Sequence, residues 1–471
     1  MLEIAKKDIL SRLQFDNLWW EQGNKGKIAY EDTPRRKYFE PFYQNILEVS
    51  VRRAIVLMGP RRVGKTVMVY HSIRKLLDSG IDSKNILYLS LETPIYTGLP
   101  LERLLNYFQE LFNHGREAKL FVFFDEIQYL RDWEIHLKSL VDSFAQYRFV
   151  ATGSAAAALR LKSTESGAGR FSDYILPPLT FAEYLMFIDR ENELITSAFE
   201  GFDQHQYSSP NIDALNEEFI NYLNFGGYPE AVFSETIRQD PGQYIKSDII
   251  DKVLLRDLPS LYGISDIQEL NRLFTTLAYN SGNEVSLEGL SKSSGVAKNT
   301  IKRYLEYLEA AFLIHRVERI DQNARRFKRA MCFKVYLTNP SMRAALFGQL
   351  KADSEAMGTM TETAIFSQWQ HSKIIELYYA RWNAGEIDIV HLDLAHQSPS
   401  WMIEVKWSDR PYRSHSELDN CIEFVRKNPT ISQPIKVTSR TIVDNNFLYK
   451  GIQFAFEPAS LYAYVVGANA L

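Results

Sequence analysis

Four apolar runs recur along the first part of the chain: Ala54-Ile55-Val56-Leu57-Met58, Ile86-Leu87-Tyr88-Leu89-Ser90-Leu91, Leu120-Phe121-Val122-Phe123-Phe124 and Phe149-Val150-Ala151-Thr152. Each is continuous rather than alternating, and helical stretches separate them. Strands apolar on both faces predict a parallel sheet covered on both sides. Thr66 to Leu77 predicts a helix ending near Gly80. Residues 190–212 are polar and turn-rich, with Ser208-Ser209-Pro210-Asn211, and predict a linker or mobile loop. Residues 213–260 predict mostly helix, broken by a turn at Gly226-Gly227-Tyr228-Pro229. Ser286-Leu287-Glu288-Gly289-Leu290 is expected to start a short helix, and Ser293-Ser294-Gly295-Val296 to turn the chain. The next helix carries Ile301, Tyr304, Leu305, Leu308 and Phe312 on one face. Strands at Ile314–Ile320 and Phe333–Leu337 flank the basic run Arg325-Arg326-Phe327-Lys328-Arg329. The last part predicts a helix at 361–371, strands at 374–379, 386–390 and 401–407, a helix at 415–427 and a strand at 434–438.

Length and composition narrow the classes. A chain of 471 residues holds roughly two to four domains. The net charge of −4 gives no global attraction to nucleic acid, so any such surface is local. Two cysteines, Cys332 and Cys421, exclude a disulfide framework and a multi-cysteine zinc site, and they fit a reducing cytosol. There is no apolar run of ~18 residues, so no membrane span is expected. The first residues lack the apolar core of a signal peptide. A cytoplasmic protein is the expectation.

The sharpest chemistry lies between the first run and the helix after it. Gly59-Pro60-Arg61-Arg62-Val63-Gly64-Lys65-Thr66 is a phosphate-binding loop, G-x-x-x-x-G-K-[ST]. Its glycines let backbone N–H groups curl around phosphates. Lys65 supplies a point charge to the β and γ oxygens, and Thr66 a hydroxyl for Mg²⁺. The helix start adds its positive dipole end. The third run leads into Asp125-Glu126. Asp125 is placed to hold the Mg²⁺ shell, and Glu126 to polarise the attacking water. The fourth run ends in Thr152-Gly153-Ser154. Ser154, with Thr152 second, is the candidate for sensing the γ-phosphate; both are equally readable as ordinary turn residues. ATP and Mg²⁺ are the expected cofactors.

With these motifs in place, the chain resembles the AAA+ ATPases. It is more closely similar to the bacterial and archaeal ATPases of archaeal type, which carry a C-terminal domain without assigned function. The likeness also rests on Leu176-Pro177-Pro178-Leu179-Thr180-Phe181-Ala182-Glu183-Tyr184-Leu185 and on Gly226-Gly227-Tyr228-Pro229. It implies a five-stranded sheet with the acidic strand beside the loop-bearing one. It also implies an arginine acting on a neighbouring subunit's site, hence a homo-oligomer. Arg170 is the first candidate and Arg160 the second.

The middle of the chain reads as a helix-turn-helix followed by a wing. Lys298, Asn299, Lys302 and Arg303 lie opposite the apolar face of the second helix, near its start. From 290 to 335 there are eleven Lys and Arg against four Asp and Glu, a local excess of +7. That excess fits a DNA phosphate surface; the alternative is a fold used only for protein packing, with a solvated basic face.

In the last part, Asp388 and Glu404-Val405-Lys406 carry the interest. Alternate strand residues share a face, so Glu404 and Lys406 point the same way and Asp388 on the preceding strand meets them. Two converging carboxylates make a Mg²⁺ site, and a lysine beside them orients or deprotonates water. This resembles the core of the restriction-endonuclease-like family, and Glu362 matches the acid that some members place on the first helix. The alternatives are an inactive nuclease-like fold and an unrelated α/β sheet whose alternating acids and lysines form salt bridges.

The expected fold is therefore α/β: an N-terminal extension (1–35), an AAA+ P-loop domain (36–185), a helical lid or linker (186–265), a winged helix (266–345) and a restriction-endonuclease-like domain (346–471). The expected function is ATP hydrolysis coupled to action on DNA, with Mg²⁺-dependent cleavage by the last domain. The alternative is a nucleotide-switched scaffold with an inactive nuclease-like fold.

Overall fold

The computed structural model describes residues 5–48, 50–153, 169–200, 204–326, 332–372 and 374–470. The chain divides into two compact units, Met1–Pro177 and Pro178–Leu471.

The first unit is built on β1 (Ala54–Met58), β2 (Ile86–Ser90), β3 (Phe121–Asp125), β4 (Arg148–Gly153) and β5 (Phe171–Ile175). All pairings are parallel, in the order β2-β3-β4-β1-β5. All five residues of β1 are buried, as two-sided coverage demands. The order corrects one expectation. The acidic strand β3 is not beside the loop-bearing β1; β4 lies between them. The fifth strand begins at Phe171, one residue after Arg170, where no strand was foreseen.

Residues 5–35 are part of this unit's packing. Strand β2 is an edge strand, and its open backbone groups need partners. The Asn17 side chain supplies them: its amide donates to the Tyr88 carbonyl at 2.9 Å and its oxygen accepts from the Tyr88 N–H at 2.7 Å. The Trp19 and Trp20 indoles both donate to the Ile86 carbonyl, at 3.2 and 2.8 Å. The extension thus covers an edge that would otherwise invite another strand.

In the second unit, the segment read as a linker contains an antiparallel hairpin, β6 (Thr196–Glu200) with β7 (Gln204–Ser208). Its polar composition hides the strands, because backbone pairing needs no apolar run. Helix Ile212–Phe225 follows, then short helical turns to Tyr262. The elements after that run helix Ile267–Tyr279, β8 (Glu284–Ser286), helix Leu287–Ser294, helix Lys298–Ala310, β9 (Ile314–Ile320) and β10 (Cys332–Leu337). The Ser286 hydroxyl caps its helix by accepting from the Gly289 N–H at 3.0 Å. Gly295 ends that helix at φ +74°, a conformation that favours glycine.

The last part follows the expected order and adds to it. Helix Met357–Trp369 leads to β11 (Leu377–Trp382), β12 (Gly385–Leu392), β13 (Pro399–Glu404), helix Asp419–Lys427 and β14 (Ile435–Ser439). Unforeseen are β15 (Asp444–Tyr449), β16 (Ile452–Pro458) and helix Ala459–Asn469, which packs on helix Met357–Trp369. The strands form one sheet, β15-β16-β14-β13-β12-β11-β9-β10-β8. Strand β11 pairs in parallel with β9, with Tyr379 opposite Arg319. The expected boundary between 345 and 346 therefore crosses a continuous sheet. Strand β13 ends at Glu404, so Lys406 lies beyond the strand whose alternation was used to place it.

Candidate functional site

In the first unit the loop is shaped as phosphate binding requires. Gly64 has φ +95°. At Gly59 even a Cβ would stand 2.1 Å from the Leu176 carbonyl oxygen, so only glycine fits. Lys65 is buried, and its ammonium donates to the loop's own carbonyls, Gly59 at 3.1 Å and Pro60 at 2.7 Å. Thr66 lies in the first turn of helix Lys65–Asp78 and donates to Asp125 at 2.9 Å. Asp125 is buried at the tip of β3 and also accepts from Thr152 and, at 2.9 Å, from Tyr88. Thr152 reaches it because β4 lies between β1 and β3. The Thr152 hydroxyl in turn accepts from the Glu126 N–H at 3.0 Å. Tyr88 was not singled out from the sequence: it lies inside an apolar run that reads only as core.

Glu126 follows β3 at φ +55° and accepts from Gln128. Burial pushes its carboxyl up from the ordinary value, helped by Asp125 and opposed by Lys65. The hydroxyl, carboxylate and ammonium suit a triphosphate with Mg²⁺, and Thr66 and Asp125 are the side chains that would hold the ion. Arg170 is half-buried and ion-paired with Asp142 of the same chain. Ser154 and Arg160 lie outside the described residues.

In the second unit the four residues singled out do converge. Glu362, Asp388 and Glu404 are all buried. The Lys406 ammonium lies 2.7 Å from Glu404 and 3.3 Å from Asp388. A fifth participant is Lys334 on β10, whose side chain is only 2% exposed. Its ammonium lies 2.8 Å from Glu362, 2.6 Å from Glu386 and 3.9 Å from Asp388. Tyr336 donates to Glu362 at 2.5 Å. Burial disfavours both ammonium groups, but the carboxylates outweigh it and hold Lys334 and Lys406 well above the usual lysine range. Burial also works against Asp388, yet Lys406 and Lys334 keep it below its ordinary value.

This arrangement does not fit a Mg²⁺ ion. Lys406 lies on one oxygen each of Glu404 and Asp388, and Lys334 on one oxygen of Glu362, so an ion would compete with an ammonium group at each of the three carboxylates. Among the described residues, no group of three His, Cys, Asp or Glu is arranged to hold an ion. Lys334 was missed because it reads, with its neighbours, as part of a basic surface.

Burial pushes Glu404 up to about 7, aided by Asp388 and opposed by Lys406. The folded state then keeps a proton that the unfolded chain releases above its ordinary value of 4.5. Stability contributed here is present at acid pH and falls as pH rises from 4.5 toward about 7. Glu404→Gln removes that titration. Relative to wild type, the variant should gain on the order of 2 kcal/mol between pH 5 and pH 8. Urea unfolding at both pH values reads this, and parallel behaviour of the two proteins would contradict it.

The basic excess is smaller at the surface than in the sequence. Lys298, Asn299, Lys302 and Arg303 are exposed. Arg316 instead pairs with Glu309, Arg319 with Glu284, and Lys334 is buried. Arg326 sits over the Tyr378 ring at 4.5 Å from its centre and 3.4 Å from Glu376. Lys328 and Arg329 lie outside the described residues. No helix among the described residues is long and apolar enough to cross a membrane.

Comparison with known proteins bears on both units. Residues 216–353 match a domain of unknown function, DUF8612. An uncharacterized protein of Haemophilus influenzae is 27% identical over 308 residues, spanning 63% of this chain and 70% of that protein. Two uncharacterized proteins of Methanocaldococcus jannaschii are also similar. One is 25% identical over 323 residues, spanning 66% of this chain and 65% of its own length. The other is 24% identical over 397 residues, spanning 82% and 80%. Among solved structures, PCH-2 of C. elegans aligns over 48% of this chain and 59% of its own, at 14% identity and a TM-score of 0.27, which carries no argument about fold. Residues 51–185 match the AAA domain family. With the parallel sheet, the phosphate loop and the acidic strand, that match makes the first unit a P-loop nucleotide-binding domain of the AAA type.

Proposed function

We propose that this protein is an ATP-hydrolysing switch that acts on DNA, and that its C-terminal charged cluster is closed to metal in the fold described. The observation that carries the ATPase reading is the junction at Asp125, where Thr66 from the loop helix and Thr152 from β4 meet one carboxylate. Lys65 exchanges the loop's carbonyls for the β and γ oxygens of the nucleotide. The loop's N–H groups bind the phosphates. When bound, Mg²⁺ offsets the charge on those oxygens. Glu126 accepts a proton from the attacking water, and its raised pKa places it closer to neutrality than an ordinary glutamate. Arg170 would act on a neighbouring subunit's nucleotide after exchanging Asp142 for phosphate. That role requires a homo-oligomer.

The DNA reading is supported by the order helix, strand, helix, helix, strand, strand over 267–337 and by the exposed Lys298, Lys302 and Arg303. The test is DNA affinity at several salt concentrations, with ADP and with a non-hydrolysable ATP analogue. A switch gives different affinities in the two states. Reversing the charges of Lys302 and Arg303 should flatten the salt slope by about 0.9 for each DNA phosphate that the protein ceases to neutralise. Absence of DNA binding at low salt in both states would leave a scaffold that switches protein contacts.

A second reading is favoured by the convergence of Glu362, Asp388, Glu404 and Lys406, the set expected of a nuclease. Mg²⁺- or Mn²⁺-dependent cutting by the wild type, lost in Asp388→Ala, would replace the closed-site reading.

A further inference from the structure

The segment where the chain leaves the first unit is bolted to both ends of the phosphate loop. At the start of the loop, the Leu176 N–H donates to the Met58 carbonyl at 2.7 Å, and the Leu176 carbonyl fills the space where Gly59 lacks a side chain. At the other end the tie is Arg36. This residue is only 5% exposed. Its guanidinium donates to the Val63 carbonyl at 2.9 Å and to the Pro177 carbonyl at 3.0 Å. Pro177 is the last residue of the first unit.

We propose that Arg36 is a positioning residue that relays the nucleotide state of the loop to the exit segment Leu176–Pro177. The inference rests on the reading that this loop binds ATP. The Val63 carbonyl and the Gly64 N–H belong to one rigid peptide plane. In a trans peptide they point in opposite directions. A phosphate that captures the Gly64 N–H therefore fixes the Val63 carbonyl on the far side, where Arg36 holds it. Both Arg36 hydrogen bonds are charge-assisted, so they are among the stronger ties available. The guanidinium is a planar fork, and a rotation of one acceptor moves the bond to the other. Lys65 adds a second change at the same place. Leaving the Gly59 and Pro60 carbonyls for phosphate frees the start of the loop, against which Leu176 is packed.

The test is hydrogen exchange over residues 171–177 in the full chain, with and without a non-hydrolysable ATP analogue. Binding of a fluorescent ATP analogue is measured in parallel. Wild type should show nucleotide-dependent protection of this segment. Arg36→Met keeps the apolar stem and removes the donors. It should bind the analogue within about tenfold of wild type and lose the dependence, with the loss falling on kcat more than on KM. Arg36→Lys keeps the charge without the fork, and its dependence should be intermediate; it also serves if Arg36→Met does not fold. Nucleotide-dependent protection that persists at the wild-type level in Arg36→Met or in Arg36→Lys overturns the relay. So does wild type that binds the analogue with no change at 171–177. Wild type that binds no analogue sinks the ATP reading itself, and the relay with it.

Discussion

Lys65→Ala should cut ATP turnover by about 10²–10³-fold, because a preorganised charge aimed at the transferring phosphoryl group is removed. Lys65 is buried at the loop, with its ammonium held beside the Gly59 and Pro60 carbonyls. Glu126→Gln makes a contrasting prediction. The amide keeps the shape and the tie to Gln128 but cannot take a proton. Nucleotide should still bind, while hydrolysis falls by about 10²–10⁴-fold. Single-turnover hydrolysis together with equilibrium nucleotide binding separates the two effects. Near-normal turnover by Glu126→Gln would remove Glu126 from the proton-transfer role, and full activity of Lys65→Ala would remove the loop from the chemistry.

Lys334→Met should destabilise the second unit by about 3–5 kcal/mol, the usual cost of leaving a buried charge without its partner. The methionine fills the space of the lysine stem, so the loss reports the ammonium rather than a cavity. Glu362 would then lose its ammonium partner, while Glu386 keeps Arg381 at 3.2 Å. Adding Glu362→Gln to the variant should recover part of the loss, and a double-mutant cycle measures how much. Chemical denaturation of the four proteins reads the result. A Lys334→Met protein as stable as wild type would mean that the ammonium does not hold the cluster together. Partial recovery of the single variant by Mn²⁺ would show that the vacated oxygens accept a divalent ion in place of the ammonium.

Which features were legible in the sequence follows from how local their causes are. The loop, the acidic strand and the helix after the loop have their reasons within a few residues, and the structure places them as read. Strand order depends on pairings between distant segments. Nothing in the third and fourth apolar runs says that β4 inserts between β1 and β3. Tyr88 shows the same limit: one hydroxyl in an apolar strand becomes a partner of Asp125 only after β2 and β3 pair. The C-terminal residues converge as expected, although the face argument used for Lys406 fails where β13 stops at Glu404. Its long side chain reaches Glu404 from beyond the strand end. Lys334 was counted among eleven surface cations because periodicity reports which face a residue occupies, not what another element brings to that face. The hairpin β6–β7 was hidden by polar side chains, since its cohesion lies in the backbone.

The shared sheet also has a consequence in time. A ribosome delivers β10 before the strands and helix that neutralise its lysine. Glu386 follows Lys334 by roughly fifty residues, which at about 5–20 residues per second is a delay of about 3–10 s. During that interval the ammonium has no carboxylate partner from β12, and a dry position is closed to it. Strand β9 meanwhile presents the edge that β11 will later occupy. The nascent middle segment therefore waits, hydrated and with an open edge, for β11 and β12.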